Sequence, residues 1–200
     1  MQNDELHLPS IAELVHEAPF PVYGLIDSPL ELAVCSVSWG STNARRTSIG
    51  LTFSSPRYPE RRENVTLDSL DAHRSGIVYN PKDASGNPFF DLDARLFEAY
   101  RLSDEVRKQA GSPQVVEGTF TIAEVGFTGE IHYWAGPHQL CGFFFTNEET
   151  LLSGSTFGPS LQDLLQLLKG AIVINQQNDL LVQYQRELDQ ETERLFGKRG

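Results

Sequence analysis

Residues 115–155 read VVEGTFTIAEVGFTGEIHYWAGPHQLCGFFFTNEETLLSGS, and the way this stretch divides into strands decides the fold. It is rich in β-branched and aromatic residues and is interrupted by turn formers. Phe120 and Ile122 share one phase while Val125 and Phe127 share the other, so residues 119–127 read as one strand with a bulge near Ala123 and Glu124. Thr128-Gly129 is a turn signal, 130–134 a second strand, and Ala135-Gly136-Pro137-His138 a four-residue loop. Residues 139–146 form a third strand. Its consecutive Phe143, Phe144 and Phe145 must cover both faces, because side chains alternate across a strand. That calls for a central strand with something packed on each side. Asn147-Glu148-Glu149 then turns the chain into a short strand over 150–153. With Trp134 opposite Gln139, His132 faces Cys141 and Glu130 faces Phe143. A slip of one residue would undo this register.

The flanks follow from local signals. Ser10 and Glu13 fit a capping box for a helix over 11–17, which Pro19 and Pro21 end. Residues 22–26 make an edge strand. Residues 32–39 and 47–53 make a hairpin around Gly40-Ser41-Thr42-Asn43, and 65–70 a further strand or short helix. A brief strand is expected at 76–79. Residues 90–110 read as helical, with Leu92, Leu96, Ala99 and Tyr100 recurring every three to four positions and Ser103 able to recap the chain. Pro159-Ser160 opens a helix with Pro in its first turn, whose stripe of Leu161, Leu164, Leu165, Leu168, Ala171 and Ile172 faces the sheet. A polar break at 175–178 precedes a last helix over 179–196, where Leu181, Tyr184, Leu188 and Leu195 have coiled-coil-like spacing. The sum is a single α+β domain over 1–200. Its sheet is mainly antiparallel, with C-terminal helices packed on one face. The segment 177–196 is the element that could protrude or meet a partner.

Composition narrows the class. Over 200 residues, 40% apolar and 10% aromatic content suffices for one core and excludes wholesale disorder. A formal net charge of −11 argues against a general nucleic-acid binder, which needs a basic footprint, and suits a basic protein partner. Cys35 and Cys141 are too few for a disulfide framework and read as reduced, small core residues. The N-terminus is acidic without an apolar run, so no secretory signal is read. No apolar stretch approaches the roughly 20 residues that span a bilayer. The expectation is a cytoplasmic protein that uses no membrane.

No motif names a chemistry. Glu130, His132, His138 and Cys141 are the right residue types for zinc, but their spacing matches no recurrent site, so no metal and no cofactor are assigned. A thiol nucleophile at Cys141 would need His132 as its base, yet Cys141 lies in an apolar strand where thiols stay protonated. Asp91 with Asp93 fits the first turn of a helix, and Glu148 with Glu149 a solvated turn. Neither a phosphate-binding loop nor a Gly-x-Ser-x-Gly elbow is present.

Charge distribution carries more. Residues 109–168 contain no Lys or Arg but hold Glu117, Glu124, Glu130, Glu148, Glu149 and Asp163. The first 44 residues also lack Lys and Arg, and the central positive charge gathers in Arg45, Arg46, Arg57, Arg61 and Arg62. The expected function is therefore a non-catalytic acidic protein-binding module, such as an immunity protein or antitoxin that neutralises a basic enzyme. Glu124, Glu130, Glu148 and Glu149 would steer the partner, and Tyr133 and Trp134 would anchor it. Two alternatives stand beside it. One is an assembly protein that forms a homodimer through Leu181, Tyr184, Leu188 and Leu195. The other is a metal-dependent or cysteine hydrolase centred on His132, His138 and Cys141.

Overall fold

The computed structural model describes residues 8–26, 30–43, 45–55, 64–73, 92–136 and 139–197. The strand expected at 76–79, His138, Asp91, Arg57, Arg61 and Arg62 lie outside them. In chain order the elements are α1 (Ile11–His16), β1 (Tyr23–Leu25), β2 (Ala33–Thr42), β3 (Arg45–Ser54), β4 (Asn64–Asp71), α2 (Leu92–Ala99) and α3 (Asp104–Ala110). There follow β5 (Gln114–Ile122), β6 (Val125–Trp134), β7 (Leu140–Thr146), β8 (Thr150–Phe157), α4 (Leu161–Lys169), β9 (Ala171–Val173) and α5 (Asn178–Phe196).

Among the described residues, seven strands form one antiparallel sheet in the order β2-β3-β4-β8-β7-β6-β5, and β1 pairs with β9 in a separate ribbon. The fold is α+β, as the sequence predicts. The three phenylalanines of β7 divide between the faces: Phe143 and Phe145 enter the main core, and Phe144 enters a smaller cluster on the other side. All three are fully buried. Removing such a side chain from water stabilises the fold by about 1.5–3 kcal/mol.

On the inner face, Ile49, Leu51, Phe53, Val65, Leu67 and Phe127 meet α1, α4, α5 and the β1–β9 ribbon. Helix α5 lies against β2, and its Glu187 carboxylate accepts Val34 N–H at 2.8 Å, beside the β-bulge between Val34 and Ser36. On the outer face, Leu92, Leu96 and Phe97 of α2 cover Phe144, Leu140 and Trp134. The capping box at Ser10 forms: its Oγ accepts Glu13 N–H at 3.2 Å, and the Glu13 carboxylate accepts Ser10 N–H at 2.7 Å.

Several boundaries differ from the sequence reading. The bulge expected at Ala123 and Glu124 is the hairpin turn itself. Both residues have positive φ (50° and 64°), the backbone that a two-residue turn between twisted strands requires. The turn expected at Thr128-Gly129 is strand, because Gly129 lies against the backbone of β7; a Cβ there would collide with the Phe144 carbonyl. The β6–β7 register is shifted by one: Trp134 pairs with Leu140, so Tyr133, not His132, stands opposite Cys141, and Glu130 stands opposite Phe144. Residues 65–70 are strand within β4. The 90–110 helix is two: Arg101 takes a positive φ of 47°, and Ser103 recaps α3 by accepting Val106 N–H at 3.3 Å. Pro159 precedes the Ser160 cap of α4 and does not sit in its first turn. Ala171 and Ile172, read as the end of that helix, belong to β9, and Gly170 separates the two elements.

The polar stretch after β9 has a structural task. Asn175 Oδ1 accepts Val22 N–H at 2.7 Å and its Nδ2 donates to Phe20 O at 3.1 Å, which holds the chain entering β1. Tyr184 of α5 donates its hydroxyl to Leu25 O at 2.5 Å. Gly24 permits that approach, since a Cβ there would lie 2.7 Å from the Tyr184 oxygen. No helix among the described residues is long and apolar enough to cross a membrane.

Candidate protein-binding surface

The antiparallel register gathers three of the predicted carboxylates at one end of the sheet. Thr128 pairs with Thr146, so the β5–β6 turn bearing Glu124 and the β7–β8 turn bearing Glu148 and Glu149 project from the same end. All three side chains are exposed. Asn147 shapes the second turn: its Oδ1 accepts the N–H groups of Glu149 at 2.9 Å and Thr150 at 2.7 Å.

The other three predicted contacts lie elsewhere. Trp134 is 3% exposed; its ring packs edge-on against Phe97 and its indole N–H donates to Gly111 O at 3.2 Å, so it holds the α2–α3 layer and is not a surface anchor. Tyr133 is half-buried against the main core. Glu130 is half-buried and faces the Nε2 of His132 at 3.2 Å, while the Nδ1 of the same ring lies 2.6 Å from Asp93. Burial opposes charge on His132, but the hydrogen bond and charge of Asp93, then Glu130, outweigh it and raise the imidazole above its ordinary value.

His132 and Cys141 do not converge. Cys141 joins the main core on the inner face, while His132 bonds to Asp93 of α2 on the outer one. The one-residue register shift separates them. Burial pushes the Cys141 thiol up to about 12, the reverse of what a nucleophile needs. Among the described residues, no group of three or more His, Cys, Asp or Glu side chains is placed to hold a metal ion.

The helical seam drawn from Leu181, Tyr184, Leu188 and Leu195 is mostly internal. Leu181 and Tyr184 are buried in the chain's own core and Leu188 packs against it, leaving Leu195 at 55% exposure.

One feature of this surface was missed from sequence. Among the described residues β5 pairs with β6 alone, so its outer edge presents unpaired backbone groups. Val115 and Val116 are exposed on it, as is Glu117. Beside its far end runs an open groove of about 670 Å³, lined by Phe120, Ile122 and Glu124 on one side and Leu165, Leu168 and Ile172 on the other. The signal was present: residues 114–122 contain no Lys, Arg or Pro, the residues that usually guard an edge strand.

No protein-family profile matches the chain, and no curated protein matches it. Among solved structures it is similar to the solution structure of cyanobacterial PsbP (CyanoP) from Synechocystis sp. PCC 6803. The identity is 12% and the TM-score 0.34, over 70% of this chain and 94% of the other. An overlap at that level carries no argument about function.

Proposed function

We propose that the protein is a non-catalytic binding module that takes an extended, basic segment of a partner protein along the outer edge of β5. The observation that supports this reading is the open edge itself. A nine-residue strand, unguarded by Lys or Pro, runs into an apolar groove; it carries Glu117, and Glu124 follows in the turn at its end. Backbone pairing with an added strand supplies affinity, alternate side chains entering the groove supply selectivity, and the carboxylates favour cationic partners. Glu148 and Glu149, at the same end as Glu124, extend the negative field. Neutralisation of a basic enzyme, in the manner of an immunity protein or antitoxin, is the specific form of this reading, with a cytoplasmic setting.

The test uses a labelled peptide of alternating Val and Lys, its Val and Glu counterpart, and backbone amide shifts of the full chain. Only the basic peptide should bind, with shifts concentrated in β5 and lost in a Glu117→Lys/Glu124→Lys variant. Equal binding of both peptides, or shifts confined to other elements, would overturn the reading.

A further inference from the structure

A second site lies on the outer face of the sheet, away from the β5 edge. Helix α2 and strands β4, β7 and β8 line a partly open cavity of about 100 Å³. Leu92, Leu96 and Ala99 form its apolar roof; Thr66, Asp68, Ser153 and Ser155 form a polar floor, and Arg95 completes the lining. The sequence reading assigned none of these polar residues to a site.

The floor is incompletely satisfied. Ser153 is 2% exposed, and its Oγ has no hydrogen-bond partner among the described residues. Buried hydroxyls are normally partnered, so such a group invites a ligand or a bound water. The adjacent hydroxyls are fixed: Thr66 Oγ1 lies 3.3 Å from Thr52 Oγ1, and Ser155 Oγ lies 3.3 Å from the Tyr100 hydroxyl, which donates to Asn64 at 2.7 Å.

The chain makes room for a carboxylate here. Gly50 is the cross-strand partner of Asp68, and a Cβ at that position would collide with Asp68 Oδ1 and lie 2.5 Å from Ser38 Oγ. Burial raises the Asp68 carboxyl above its ordinary value, and the charge of Arg95 only moderates the effect. A buried carboxylate beside an unmet hydroxyl calls for a cationic donor.

The geometry points to a binding site for a small primary ammonium ligand. Its three N–H donors suit Asp68, Ser153 and the neighbouring Thr66 hydroxyl, with its short carbon skeleton under Leu92 and Leu96. The volume limits the ligand to on the order of five to seven non-hydrogen atoms. An anion is repelled by Asp68, and a neutral polyol brings no positive charge to it beyond that of Arg95. A free alkylamine and a small α-amino acid share the ammonium group; Arg95 separates them, because only the second brings a carboxylate to it.

Calorimetry on the full chain with ethylammonium, glycine, acetate and glycerol tests this. Saturable binding of ethylammonium or glycine, weakened at least about tenfold in both Asp68→Asn and Ser153→Ala, is the expected result. The near-isosteric Asn keeps the packing, and Ser153→Ala keeps the carboxylate, so two independent variants report on one site. A preference for glycine that disappears in Arg95→Met assigns an amino acid; equal affinities assign a simple amine. Binding of neither ammonium compound at millimolar concentration, binding unaffected by Asp68→Asn, or glycerol binding as well as ethylammonium would overturn the proposal and leave a water-filled cavity.

Discussion

His132 Nδ1 lies 2.6 Å from Asp93 Oδ1, and through this contact β6 holds the first turn of α2. Because Asp93 and Glu130 raise the imidazole value, the folded chain binds this proton more tightly than the unfolded one. Below the ordinary imidazole value of 6.5, both states carry the proton and the full stabilisation is present. It is lost as pH rises through the higher folded-state value. Urea midpoints between about pH 5 and 9 should therefore fall across this upper window. Asp93→Asn should flatten that fall; an unchanged profile in the variant would count against the pair.

The turn between β5 and β6 places two residues with side chains, Ala123 and Glu124, in the left-handed region. Each such residue costs of order 1 kcal/mol or more relative to Asn or Gly. Ala123→Asn should raise the unfolding free energy by about 1 kcal/mol while leaving Glu124, and the binding of basic peptides, in place. Ala123→Asn/Glu124→Gly should raise it further and weaken that binding. Chemical denaturation and peptide titration on the same samples separate the two effects.

Tyr184→Phe removes the hydroxyl that reaches Leu25 O while keeping the ring against Phe53, 5.5 Å away between centroids. Loss of that buried bond should cost about 1–3 kcal/mol in equilibrium unfolding. A chain ending at Gln176 loses Leu181 and Tyr184 from the core and should fail to fold, visible as loss of near-ultraviolet dichroism. A folded product of unchanged stability would show that α5 is an appendage.

Burial pushes the Cys141 thiol up to about 12, so at about pH 8 almost none is thiolate. Iodoacetamide should modify Cys141 only as fast as the chain unfolds, and ahead of it the half-buried Cys35. Rapid alkylation of Cys141 in the native protein would contradict its burial in the inner core.

What could be read beforehand depended on how local the cause was. Phe143 to Phe145 signalled a strand covered on both sides because alternation is a property of the strand alone. Ser10 and Glu13 signalled a helix start for a similar reason. The β6–β7 register was not legible, since it depends on whether Gln139 or Leu140 meets Trp134, and Gln139, with a φ of 40°, belongs to the loop. Ala171 and Ile172 continued the apolar rhythm of α4, and Lys169-Gly170, a usable stop signal, was overlooked. Of the predicted surface, Glu148 and Glu149 were readable as exposed turn residues, whereas Glu124 was read at a bulge and lies in the β5–β6 turn. Trp134 was not, because its partners Phe97 and Gly111 come from elements distant in sequence. The cavity beneath α2 is assembled from three strands and a helix, and no single segment announces it.

The ribbon in which β1 pairs with β9 has a consequence for the order of events during synthesis. Tyr23, Gly24 and Leu25 emerge from the ribosome long before Val173, Ile172 and Ala171, their partners. Helix α1 waits in the same way for α5, whose Gln185 accepts the Ile11 N–H at 2.9 Å. This segment therefore completes its docking late, and the apolar side chains of Ile11, Leu14 and Val15 lack the α5 part of their cover on the nascent chain until that helix is released.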